Sequence, residues 1–228
     1  MSQQGASLES KQSSGETKTK HGIPIDYGFA KAADEEAIQR TAVSLRERGF
    51  TVDVVSSSEE ARSLVRTMLP HDKTIFTATS ETVRLSGLDE DINGPKSPFQ
   101  SMRREINKLG PQTPYRERVK MQAVPDVVVG SVHAITEGGQ VLVASASGSQ
   151  LGPYAAGAER VIWIIGSQKI VPDLNAGFRR LQMYAYPLED IRAREQYNMP
   201  SAVAKTLIFN GERPGRVNII LVRSPIGY

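Results

Sequence analysis

Two spacings of apolar residues alternate along the chain, one near the helical period and one of unbroken runs, and they predict helices and buried strands in turn. Ala33, Ala37, Val43 and Leu45 follow the helical spacing, with Gly49 as a C-terminal stop. TVDVV (Thr51–Val55) reads as a short strand. Ser57-Ser58-Glu59-Glu60 carries a capping box, with Ser57 as N-cap and Glu60 at the third helical position. That helix turns Ala61, Leu64, Val65 and Met68 inward and ends at Pro70. KTIFTAT (Lys73–Thr79) is a second strand, followed at once by a helix start at SETVRL. Prolines, a glycine and an asparagine crowd Asp89–Pro98, which predicts a loop or insertion. Gln100 to Met121 is helix-compatible on either side of Gly110–Pro114.

Three further runs, DVVVGSV (Asp126–Val132), QVLVASA (Gln140–Ala146) and RVIWIIG (Arg160–Gly166), are continuously apolar, which predicts a sheet covered on both faces. Past Pro172 a helix carries Leu174, Phe178 and Leu181 on one face; Pro187 is expected to break it and to restart a second helix with Leu188 and Ile191. KTLIFN and RVNIILV flank a GERPG loop and suggest a C-terminal hairpin. No fixed-period repeat occurs. Helices alternating with buried strands make the fold class α/β. Residues 1–22 offer little to bury beyond Met1, Ala6 and Leu8, so they are expected to form a disordered polar tail ahead of a single domain over 23–228.

Composition removes several kinds of chemistry. Cys is absent, so this chain supplies no disulfide, thiolate nucleophile, Cys-ligated zinc or iron–sulfur cluster. Twenty-eight Lys and Arg oppose 25 Asp and Glu, a net charge of +3, and the pI near 9.1 reflects that small excess, not a basic stripe for nucleic acid. No apolar run is long enough to span a bilayer and the polar leader lacks a signal-peptide core, so a cytoplasmic protein is expected.

Familiar motifs are missing. No G-x-G-x-x-G follows a strand and no G-x-S-x-G occurs. Gly94-Pro95-Lys96-Ser97 imitates only the tail of a P-loop and reads as a turn. His21, His71 and His133 lie too far apart to pair on one helix face, and nothing points to a metal.

What remains are the loops leaving strand ends, where α/β sheets bind ligands. Thr79 and Ser80 stand at a helix start with Arg84 one turn in, suited to phosphate or carboxylate; a simple helix cap is the plain alternative. His133 and Glu137 lie four residues apart before Gly138-Gly139. They read as a source of a general acid/base or a carboxylate nucleophile, or else as a hairpin turn with a solvated Glu. Ser147, Gly148, Ser149 and Gln150, directly after a strand, offer hydroxyl and backbone donors to a ligand. Gly166 and Lys169 follow RVIWIIG, with Lys169 a point charge for an anion.

The runs HAITEGGQVLVAS and GSQKIVPDL, with TATSETVRLSGL and the closing PGRVNIILVRSPIGY, resemble the LUD-domain family of lactate-utilisation proteins of the LutC/YkgG type over roughly residues 27–228. The resemblance implies a NagB/RpiA/CoA-transferase-like fold, a Rossmann-type sheet flanked by helices. It also implies a part in the oxidation of L-lactate, a 2-hydroxy acid, beside iron–sulfur oxidoreductase partners. Carried over by position, it singles out Glu137, Gly138, Ser147, Gly148, Gly166 and Lys169. The expected ligand is a small anionic metabolite. A transferase or isomerase using Glu137 with His133, and a non-catalytic assembly or sensor subunit, are the alternatives.

Overall fold

The structure is a computed structural model that describes residues 17–228. The polar leader expected over residues 1–22 therefore lies mostly outside the described residues. Its last part pairs β1 (Thr17–Lys18) antiparallel with β2 (Pro24–Ile25).

The chain continues through α1 (Glu35–Glu47), β3 (Thr51–Val55), α2 (Ser58–Met68), β4 (Thr74–Thr77), α3 (Glu81–Leu85) and α4 (Leu88–Asn93). Next come β5 (Gln100–Ser101), α5 (Met102–Lys108), α6 (Tyr115–Ala123), β6 (Val127–Gly130), β7 (Ala134–Thr136) and β8 (Val141–Ser145). It closes with β9 (Arg160–Gly166), β10 (Ile170–Val171), α7 (Leu174–Arg180), α8 (Tyr186–Tyr197), β11 (Lys205–Phe209) and β12 (Val217–Val222). Six of the strands form a wholly parallel sheet in the order β3-β12-β9-β6-β4-β5. A second, mixed sheet runs β10-β7-β8-β11. The molecule is α/β, with its central parallel sheet flanked by helices.

The unbroken apolar runs explain the layering. Along β9, Val161, Trp163 and Ile165 face one buried cluster while Ile162 and Ile164 face another; β12 divides the same way. Both faces are covered, as such runs require. On the first face lie α1, through Ile38, Ala42 and Leu45, and the second sheet, through Ile135, Val141 and Val143. The opposite face is closed by α2, α3 and α4. The second sheet turns its outer side, Ala134, Leu142, Ala144 and Val171, toward Leu181 and Ala185.

Ser57 caps α2 as its sequence predicts: its side chain accepts from Glu60 N at 3.3 Å, and the Glu60 carboxylate accepts from Ser56 N at 2.8 Å. Other expectations are corrected. Half of the predicted 89–98 loop is helical, because Gly87 takes a left-handed conformation that starts α4 beneath an acidic first turn. Along α1, Ala37 and Leu45 are buried as their spacing predicts, with Ile38, Thr41 and Ala42 beside them, but Val43 is exposed.

The run from α7 to α8 is one continuous rod through a π-helical turn at Leu181–Ala185, not two helices broken at Pro187. The missing Pro187 N–H is tolerated because the Met183 carbonyl, four residues back, accepts instead from Asp26 N at 2.7 Å. Both C-terminal strands exist, but they do not form a hairpin. β11 is antiparallel to β8 in the second sheet, whereas β12 lies between β3 and β9.

Candidate functional site

A cavity of about 260 Å³ opens beyond the C-terminal ends of β4, β6 and β9. That is the edge at which parallel α/β sheets bind ligands. The chain leaves β4 into Thr79 and Ser80, β6 into Ser131 and His133, and β9 into Lys169; the loop after β8 adds Ser147, Ser149 and Gln150. Seven of the residues singled out in the sequence lie on the wall: Thr79, Ser80, His133, Ser147, Ser149, Gln150 and Lys169. Ser80 lies on the wall, and its hydroxyl also accepts from Val83 N to cap α3.

Lys169 dominates the floor. It is 1% exposed, and its Nζ lies 3.0 Å from each of Thr82 Oγ1, Ser131 Oγ and Val132 O. None of these is a carboxylate. Burial, with the nearby Arg180 guanidinium second, pushes the amine well below the usual lysine range. Arg180 is equally buried; it donates from Nε to Gln168 O at 3.1 Å and from Nη1 to His133 O, and lies over the Tyr184 ring. Burial lowers it to about 10. Two basic side chains thus grip the successive carbonyls of Val132 and His133, and among the described residues neither forms an ion pair.

His133 is held in one tautomer. Its Nδ1 accepts from Ala144 N at 3.0 Å, so the neutral ring carries its proton on Nε2 and offers a donor. Burial, followed by the charges of Lys169 and Arg180, presses it down to about 3, so it is neutral near pH 7.

The remaining candidates lie elsewhere. Glu137 and Gly138 form the β7–β8 turn, which docks on α1. Glu137 accepts from Arg40 Nε at 3.0 Å, and the Gly138 carbonyl accepts from Arg48 Nε. Gly148 makes its loop's left-handed turn, with its N–H donating to Ser145 Oγ. Gly166 lets the C-terminal segment approach: a Cβ there would sit 2.6 Å from Ile226 N. Arg84 is engaged by Glu81 at 2.7 Å and points along the surface.

Several wall residues escaped the sequence reading. Ser131 directly follows β6 and the strand-end rule applied to its neighbours would have found it. Tyr154, Glu189, Arg192 and Tyr228 come from distant helical and terminal segments, and no local pattern marks them. Both carboxylates on the wall are matched: Glu81 by Arg84, and Glu189 by Arg192 at 2.6 Å and by the Tyr228 hydroxyl at 2.7 Å. The surplus on the wall is therefore basic. Among the described residues no group of three or more His, Asp or Glu side chains is placed to hold a metal ion, and no helix is long and apolar enough to cross a membrane.

Comparison with known proteins agrees with the resemblance carried by HAITEGGQVLVAS and GSQKIVPDL. No protein of curated function matches the chain. Among solved structures it is similar to a DUF162 family protein from Deinococcus radiodurans, at 12% identity and a TM-score of 0.47, covering 84% of this chain and 99% of that one. The LUD domain matches residues 38–222, most of the chain. The protein belongs to the LUD-domain family.

Proposed function

We propose that the cavity binds a small anionic metabolite, a 2-hydroxy or 2-oxo carboxylate, with Lys169 as its basic partner. In this reading the protein serves lactate utilisation in the cytoplasm. It works beside oxidoreductase partners that carry the iron–sulfur clusters a chain without Cys cannot hold. The family association with lactate supports the metabolite class, and the cavity volume suits a ligand smaller than a drug-sized molecule.

One observation carries the reading: the buried amine of Lys169 on the cavity wall with no carboxylate beside it. A buried basic group of that kind is costly unless something negative arrives to match it. Serine hydroxyls around the wall then supply donors that orient a carboxylate.

Titration calorimetry with lactate, pyruvate, sugar phosphates and CoA tests it. Heat is expected with lactate or pyruvate, and silence from all four overturns the reading. Glu137→Gln is expected to leave that affinity within about twofold, well under 1 kcal/mol, because the side chain lies at the docked turn beside Arg40. A loss of tenfold or more would return Glu137 to the ligand site.

A further inference from the structure

The hydrogen bonds around Lys169 accommodate two protonation states equally well. Ser131 donates its proton to Ile164 O at 2.6 Å, so toward Lys169 it is an acceptor, as is the Val132 carbonyl. Thr82 is different. Its Oγ1 lies 3.0 Å from Nζ and 3.3 Å from Ile226 O, so its proton can point to either. With the proton on Ile226 O, Lys169 donates three hydrogen bonds and is an ammonium. With the proton turned to Nζ, Lys169 donates two, accepts one and is a neutral amine. In neither state is a polar atom of Lys169, Thr82 or Ser131 left unsatisfied, and Ile226 O keeps the Gln168 Nε2 donor throughout.

Charge decides between them. Arg180 faces the amine from α7 as a cation. His133 is neutral, and the phenols of Tyr154, Tyr184 and Tyr228 are held uncharged by burial. Glu81 on α3 and Glu189 on α8 each have their own arginine, Arg84 and Arg192. A second cation beside Arg180, 1% exposed and held only by hydroxyls and a carbonyl, would stand without a charged partner. An anion entering the cavity would meet no unpaired cation on the wall, because Arg192 is held by Glu189 and Arg180 is held off the wall by the Gln168 and His133 carbonyls. Its charge would instead raise the proton affinity of the amine.

We infer that Lys169 is a neutral amine in the free protein and takes up one proton when a small carboxylate binds, with the Thr82 hydroxyl turning from Nζ to Ile226 O. The site then admits acid and anion together as a neutral sum. This rests on the anion-binding reading above and adds the protonation step to it. In the pH range between the two Lys169 pKa values, lower free and higher bound, affinity falls about tenfold for each unit of rising pH.

Two measurements on the full chain test the inference, with lactate and pyruvate as probes. Calorimetry at one neutral pH, in two buffers of different ionisation enthalpy that are neither carboxylates nor phosphates, is expected to show uptake of about one proton per ligand. In protein carrying 13C-labelled lysine, the Lys169 Cε signal is identified by its absence from Lys169→Met. It is expected at the amine position in the free protein and at the ammonium position at saturation. Binding with buffer-independent heat, or an ammonium signal before ligand is added, overturns the inference and leaves the anion site standing. No binding of either probe overturns both.

Discussion

Trp163→Ala is expected to cost about 3–5 kcal/mol of unfolding free energy and to loosen the cavity as it does so. Trp163 is fully buried at the centre of β9. Its ring packs edge-on against Tyr154 at 5.3 Å and Phe209 at 5.1 Å, and is tilted against Phe50 at 6.3 Å. Phe209 belongs to the second sheet and Tyr154 to the cavity wall, so one indole joins both sheets to the site. Tyr154 has nowhere to retreat: its hydroxyl sits over Gly130, where a Cβ would lie 1.6 Å from it. Once the indole is gone, the phenol loses its aromatic partner and the wall its fixed position. Urea denaturation gives the stability, and calorimetry with pyruvate gives the affinity. Trp163→Phe, which keeps a ring in place, is expected to lose less than half as much stability. A cost below about 1 kcal/mol for the alanine would show that the core closes without this residue.

How much of this is legible in the sequence depends on the range of the forces involved. β9 and β12 are unbroken apolar runs because both faces of the sheet are covered, and that property is written locally. The Ser57 cap is local too. By contrast, the sheet that receives KTLIF is decided by pairing with β8, a long-range choice no local pattern encodes. α4 is masked in the sequence by Asn93, Gly94, Pro95 and Pro98, which mark its end and the turn beyond it but colour the whole Asp89–Pro98 stretch as loop.

In the site, the strand-end rule placed Ser80, His133, Ser147 and Lys169 on a single wall, though they are scattered along the chain. A spacing of four residues suggests that Glu137 shares a site with His133. An extended strand, β7, separates them by on the order of 13 Å, carrying Glu137 to α1. The depth of Lys169 was invisible as well, since a lysine in sequence looks the same whether solvated or enclosed. Its burial follows from Thr82, Ser131 and Val132 meeting around it from separate elements.

Lys169→Met is expected to weaken binding of lactate or pyruvate by about 3 kcal/mol, more than a hundredfold, while leaving the fold at least as stable at neutral pH. Methionine follows nearly the same path through the core, and the Thr82 and Ser131 hydroxyls keep Ile226 O and Ile164 O as acceptors. Only the Val132 carbonyl loses its donor. Against that small loss stands the relief of removing a basic group held below its ordinary pKa by burial. The sign follows from proton counts: below the ordinary lysine value of 10.5 the unfolded chain binds a proton that the folded chain refuses, so the wild type grows more stable as pH rises toward that value. The methionine variant lacks this contribution. Urea midpoints of the two proteins, measured from neutral pH upward, are therefore expected to shift steadily in favour of the wild type. Parallel curves would mean that Lys169 is charged in the fold, and that the cavity meets its anion with a cation already in place.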